Sequence, residues 1–213
     1  MRATVFDLDD TLIDSGGAWS AACAAFTAAH GHAWTAADSA ALHGNGGWTA
    51  YVSALCGGLP VERVLDGCLA NMLDLIESIE LLPGAAELTE EAERFGPLAL
   101  VSASPRRFVE KVLVHVGLAC RFQVVVCGED VDRPKPAPDP YLLAVQELGV
   151  EAADCLAVED SPHGIRSAHA AGLTVLAIPR HGDPLPADVA ALAAHVACNA
   201  REALSLLSFT VVP

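Results

Sequence analysis

Carboxylates, hydroxyls and one lysine recur in this chain at one kind of place, directly after short apolar runs. Asp7, Asp9 and Thr11 follow Ala3–Phe6, Ser102 and Ser104 follow Leu98–Val101, and Glu159 and Asp160 close the run Leu156–Val158. Lys135 sits in a proline-rich loop, Pro134–Pro140, that follows Gln123–Cys127. Each has a plain reading alone: Asp7-Leu8-Asp9-Asp10 as a solvated turn, Ser104 as a helix cap, Lys135 as a surface lysine. Gathered at one point, they suit phosphoryl transfer. Clustered carboxylates repel one another and call for a hard divalent cation, and an all-oxygen donor set points to Mg²⁺. One Asp can then attack phosphorus and form an acyl phosphate. A second Asp can protonate the leaving oxygen and later deprotonate water. Lys135 and Ser102 can hold the phosphoryl oxygens.

The elements that must position these groups follow from periodicity. Strands are predicted over Ala3–Phe6, Leu98–Val101, Gln123–Cys127, Leu156–Val158 and Thr174–Ile178, with His195–Cys198 as a last one. Helices are predicted over Ala85–Phe95 and Tyr141–Leu148. Two more begin at Ser-Pro pairs, an N-cap followed by proline at the first helical position: Ser104-Pro105, running to about Val116, and Ser161-Pro162, stopping at Gly172. Strands alternating with helices of about 10–15 residues indicate a parallel sheet covered on both faces, an α/β fold with a Rossmann-like core. Ligands bind such sheets beyond the C-terminal ends of the strands, where the polar residues gather. From about Ser15 to Leu81 the chain is instead Ala- and Leu-rich and helical, broken at Gly44–Gly47 and Gly57–Gly58, with no strand. The expected organisation is a core of 1–14 and 82–213 interrupted by a helical cap, 15–81.

Composition narrows the class. The 213 residues, 53% hydrophobic and 18% charged, exclude a disordered chain and provide for a real core. A net charge of −15 lacks the basic footprint of a nucleic-acid binder and is repelled by anionic membranes. Neither a signal-peptide pattern nor a long apolar span is present. The seven cysteines are odd in number, scattered and without C-x-x-C, as small buried residues of a reducing cytoplasm would be.

The chain resembles the haloacid dehalogenase superfamily of phosphohydrolases, in the branch whose helical cap lies between the first strand and the rest of the core. The resemblance rests on Asp7-Leu8-Asp9-Asp10-Thr11-Leu12, Val101-Ser102-Ala103-Ser104, Lys135-Pro136-Ala137-Pro138-Asp139 and Val158-Glu159-Asp160-Ser161-Pro162-His163-Gly164-Ile165, which occur in that order over nearly the whole chain. It implies Asp7 as nucleophile and Mg²⁺ ligand, and Asp9 as general acid/base with its backbone carbonyl offered to the metal. Ser102, Ala103 and Thr11 become the phosphate-binding set with Lys135, which also bridges to Asp7, and Glu159 and Asp160 complete the metal site. Asp10 stands where the family more often has glycine, and its carboxylate is expected to point away from the metal.

Within that family, Asp9 argues against a true dehalogenase, whose halide leaves without a proton. The only lysines, Lys111 and Lys135, lie outside the cap, against a phosphonate hydrolase with a cap Schiff base. A β-phosphoglucomutase-like phosphotransferase needs cap bases for a second phosphate, yet 15–81 holds only Arg63, and Trp19 stands where those mutases carry a histidine. A catalytically quiet relative would have lost one of the acids. The expected activity is therefore a phosphatase acting on a small sugar or polyol phosphate, cytoplasmic, monomeric or weakly dimeric. Asn45 and Trp48, in and beside the glycine-rich loop, are expected to face substrate. Trp34 is expected in the core of the cap, His30, His32 and His43 at surfaces or helix ends, and His163 near the site mouth.

Overall fold

The computed structural model describes residues 2–42, 45–180 and 184–210. Six parallel strands form one sheet: β1 (Ala3–Phe6), β2 (Leu98–Val101), β3 (Val124–Val126), β4 (Cys155–Glu159), β5 (Thr174–Ala177) and β6 (His195–Val196). Their order is β3-β2-β1-β4-β5-β6, so the direction of winding reverses about β1. Between β1 and β2 the chain forms α1 (Gly16–Ala28), α2 (Ala36–Leu42), α3 (Trp48–Leu55) and α4 (Val61–Asp74). The sheet is flanked by α5 (Ala85–Glu93), α6 (Arg106–His115), α7 (Asp139–Leu148), α8 (Pro162–Ala170), α9 (Ala187–Ala190) and α10 (Ala200–Thr210). The Rossmann-like α/β fold read from the sequence is the fold observed.

The central strands are continuously apolar because both their faces are covered; every residue of β1, β2 and β4 is buried. Ala3 and Val5 face one layer with Tyr141 and Ile165, while Phe6 faces the other with Phe108 and Leu88. That second cluster is continuous with the inserted helices, taking in Trp19, Phe26, Val64 and Met72. The insertion thus packs as an extension of one sheet layer. Its two connections lie side by side: Ile13 bridges Leu81, Asp14 N–H donates to Glu80 O at 3.0 Å, and Leu82 N–H to Leu12 O at 2.9 Å.

Several element ends differ from expectation. Ser161 does cap α8, its Oγ accepting the Gly164 N–H at 3.1 Å with Pro162 at the first position. Ser104 caps nothing: α6 starts at Arg106, Pro105 holds the cap position without a side-chain bond, and the Ser104 hydroxyl is spent elsewhere. The last strand is only His195–Val196, and α9 and α10 are additions, the latter docking Leu207 into the core.

Candidate active site

The strand ends deliver their polar residues to one pocket. β1 runs into a tight loop in which Asp7 N–H bonds Val158 O, Leu12 N–H bonds Leu8 O and Asp10 N–H bonds Ile13 O. Asp10 takes the left-handed conformation this turn needs, at φ 61°. The pocket, about 440 Å³, lies above the loop between sheet and insertion, with Asp7, Asp9, Ala103, Lys135 and Asp160 on its floor.

Lys135 organises that floor. Its side chain is almost wholly enclosed, and its Nζ donates to Asp7 Oδ1 at 2.7 Å, Glu159 Oε1 at 2.6 Å and Val101 O at 3.0 Å. Burial alone would lower its pKa; the Asp7 and Glu159 carboxylates outweigh that and hold the ammonium well above its ordinary value. Glu159, fully buried, also accepts from Tyr141 OH at 2.7 Å through Oε1, and from Ser161 Oγ at 3.2 Å through Oε2. Burial pushes Asp7 well above the carboxylate range, opposed by Lys135 and reinforced by Glu159, Asp160 and Asp9.

Asp7, Glu159 and Asp160 each offer a carboxylate oxygen within 4.8 Å of the others. Asp7 Oδ2 is enclosed without a hydrogen-bond donor among the described residues. An all-oxygen, negatively charged, partly unsatisfied donor set fits a hard divalent cation. Thr11, expected to orient the loop and grouped with the phosphate-binding residues, is buried, and its Oγ1 donates to Asp160 Oδ1 at 3.3 Å. It positions an acid.

Asp9 is turned away from this trio. Its Oδ1 accepts from Ser15 Oγ at 2.6 Å and Trp19 Nε1 at 3.1 Å; its Oδ2 accepts from Ser104 Oγ at 2.7 Å and Ser102 Oγ at 3.1 Å. Ser102 Oγ also accepts the Ser104 N–H at 3.0 Å, so both serines after β2 hold Asp9. Asp10 points away from the acids, as expected, with Oδ1 on Gly16 N–H at 2.9 Å and Oδ2 on Arg180 Nη1 at 3.2 Å.

On the insertion side Asn45 and Trp48 both line the pocket. Trp48 is only 8% exposed and packs on Trp19, ring centroids 5.5 Å apart. Asn45 braces its own loop, Nδ2 donating to Ala41 O at 3.0 Å and Oδ1 accepting Gly47 N–H at 2.8 Å. Gly46 lies so close to Pro134 that a Cβ would overlap the ring. His43 and Gly44 of this loop lie outside the described residues. Ser20 and Ser39, which nothing in the sequence marked, also face the pocket and bond each other at 3.1 Å, with Trp34 Nε1 donating to Ser39 at 2.9 Å. Trp34 is partly buried against the core. His30 bonds Phe26 O at the end of α1, and His163 lines the mouth.

A parallel α/β sheet with an acidic, lysine-braced pocket at its strand ends defines a phosphohydrolase architecture. A family model, haloacid dehalogenase-like hydrolase, matches residues 1–172, and the chain belongs to that family, as an enzyme of its phosphatase type. It is 32% identical over 199 residues to N-acetylmuramic acid 6-phosphate phosphatase of Pseudomonas putida, covering 88% of this chain and 86% of that one. It is also 32% identical over 180 residues to hexitol phosphatase A of Escherichia coli, covering 83% and 82%. Among solved structures, CbbY of Rhodobacter sphaeroides in complex with phosphate superimposes with TM-score 0.83 at 25% identity, over 95% of this chain and 96% of that one. Among the described residues no helix is long and apolar enough to cross a membrane.

Proposed function

We propose that the protein is a Mg²⁺-dependent phosphomonoester hydrolase for a small sugar or polyol phosphate, working through a phosphoaspartate on Asp7. One observation carries this reading: Lys135 occupies Asp7 Oδ1 while Asp7 Oδ2 is left over beside the acids. The division in which 15–81 forms a cap over a core of 1–14 and 82–213 belongs to the same proposal.

Asp7, Asp160 and Glu159, with the Asp9 backbone carbonyl, would hold the cation, which supplies charge neutralisation for the carboxylates and the phosphoryl oxygens. Asp7 attacks phosphorus, the bond from phosphorus to the ester oxygen breaks, and Asp9 gives that oxygen its proton. Asp9 then takes a proton from water as the water oxygen attacks phosphorus, and the bond to Asp7 breaks, releasing phosphate. Lys135 and the loop of Ser102 and Ala103 receive the phosphoryl oxygens. For this the Asp9 carboxylate must exchange its bonds to Ser102 and Ser104 for the substrate.

The substrate class follows from charge and from relatives. Arg63 is the only strong base of 15–81 and is not among the pocket residues, and the pocket's Arg180 is already paired with Asp10. Among the described pocket residues a second phosphate finds no spare guanidinium, whereas hydroxyls find Ser20, Ser39 and Asn45. Two relatives bear names of sugar or hexitol phosphatases. The seven cysteines, all free thiols, accompany the cytoplasmic location expected from their spacing. The test is a panel of hexose and hexitol monophosphates and matching bisphosphates, with chelator and with added Mg²⁺. Metal-dependent phosphate release from monophosphates is expected. Inactivity with Mg²⁺, Mn²⁺ and Co²⁺ alike would favour a quiet relative, and phosphate migration on the sugar a mutase.

A further inference from the structure

Arg180 follows β5 and reaches across the pocket rim to the start of the cap. Its Nη1 lies 3.2 Å from Asp10 Oδ2 and its Nη2 3.9 Å from Asp14 Oδ1. Asp10, through its other oxygen, accepts the N–H of Gly16, the first residue of α1. A Cβ at Gly16 would overlap both Asp10 Oδ2 and Arg180 Nη1, so the ion pair lies directly on the backbone where the cap begins. Asp14 in turn bonds Glu80, where the cap returns to the core. One guanidinium from a distant loop therefore meets the outgoing connection at two carboxylates, and the returning one is tied to it through the Asp14 backbone.

The geometry points to Arg180 as a positioning residue that holds the cap hinge. Asp10 occupies a left-handed position that glycine takes more readily. Its carboxylate gains in return a helix N–H and a guanidinium, bonds that glycine could not make. The tether fixes the segment Asp14–Gly16 and with it Ser15 and Trp19, whose O–H and N–H both reach Asp9 Oδ1. Two carboxylates share the one guanidinium, so Arg180 is placed as a tether and not as a free cation of the rim. The inference takes its activity readout from the phosphatase reading, but its conformational readout stands without it.

That readout is tryptophan fluorescence. Trp19 and Trp48 are 7% and 8% exposed in the seam between cap and core. Opening of the hinge exposes both to acrylamide. In Arg180→Ala the quenching constant should rise about twofold. Since binding then draws on a smaller closed fraction, KM for a hexitol monophosphate should rise about tenfold, with kcat within about twofold of wild type. Arg180→Lys should fall between, because an ammonium cannot span both carboxylates. Asp10→Gly keeps the turn and removes the carboxylate, and should reproduce the rise; the Arg180→Ala, Asp10→Gly double variant should add little to either. If Arg180→Ala does not fold, Arg180→Lys and Asp10→Gly decide the matter by the same two readouts. Unchanged quenching in the folded variants overturns the proposal. So does a loss confined to substrates bearing a second anionic group, which would make Arg180 a receptor.

Discussion

Lys135 and Glu159 form an ion pair sealed from solvent, 2.6 Å from Nζ to Oε1, and the same ammonium reaches Asp7 at 2.7 Å. The glutamate of the last motif is thus a partner of the lysine as well as a member of the acidic trio, and it also accepts from Tyr141 and Ser161. Removing the cation would leave buried carboxylates facing one another. Lys135→Ala should cost about 3–5 kcal/mol of stability, since breaking a buried pair strands its partner. It should also cost on the order of 10²-fold in turnover. Thermal denaturation with Mg²⁺ present and absent checks the first, and steady-state kinetics on the folded fraction the second. A stable variant of near-normal activity would return Lys135 to an ordinary role.

Asp7→Asn should abolish turnover, because an amide forms no acyl phosphate. Asp9→Asn should separate substrates by leaving group. Nitrophenolate departs without a proton, a hexitol alkoxide does not, so the first step should fall far more for the hexitol ester. Single-turnover kinetics read this directly; equal losses would remove Asp9 from the acid role.

Gly164→Ala should destabilise the protein although alanine favours a helix by about 1 kcal/mol. A Cβ there overlaps the Glu159 carboxylate, and overpacking costs about 1–3 kcal/mol. The carboxylate can yield only by leaving Lys135, so activity should fall together with the melting temperature. A raised melting temperature would mean that Glu159 moves freely.

Asp38 gives the helical insertion a pH dependence. Enclosed at 5% exposure, it accepts from Tyr51 OH at 2.6 Å, Thr35 Oγ1 at 2.7 Å and Thr35 N–H at 2.8 Å. The Tyr51 and Thr35 bonds hold its carboxyl well below the usual range. A depressed folded value means stability present above the unfolded pKa of about 4 and lost as pH falls below it. Asp38→Asn should be less stable at neutral pH and show a shallower acid limb in urea denaturation between about pH 5 and pH 2. Parallel limbs would place the acid sensitivity elsewhere.

Much of this is legible in the sequence. Apolar runs ending in Asp, Ser and Glu are local signals, and they located β1, β2 and β4 with the acids at their ends. Ser104 shows the limit. Ser-Pro is the same pattern whether the hydroxyl caps a helix or reaches an acceptor elsewhere, and its acceptor, Asp9, lies far off in sequence. Thr11 belongs to a legible loop, but its bond to Asp160 joins residues 149 positions apart and has no local signal. Asp10 follows β1 and Arg180 follows β5, strands with β4 between them, a pairing that no local pattern encodes. The helix Ala200–Thr210 carries no motif, and only the docking of Ala203 and Leu207 into the core marks it.

The strand order makes maturation of this enzyme a late event. β1 is the first strand synthesised and becomes the middle of the sheet, with β2 on one side and β4 on the other. A nascent chain that has passed Val126 can assemble β1, β2 and β3, but the far side of β1 then stays bare, an apolar template for wrong pairing, until Cys155–Glu159 emerges. That same strand brings Glu159 and Asp160. Closing the bare edge and completing the acidic pocket are therefore one event on the ribosome or after it. Before that event the chain holds Asp7 and Lys135 but neither Glu159 nor Asp160, so on the proposed mechanism hydrolysis begins only when the middle of the fold is sealed.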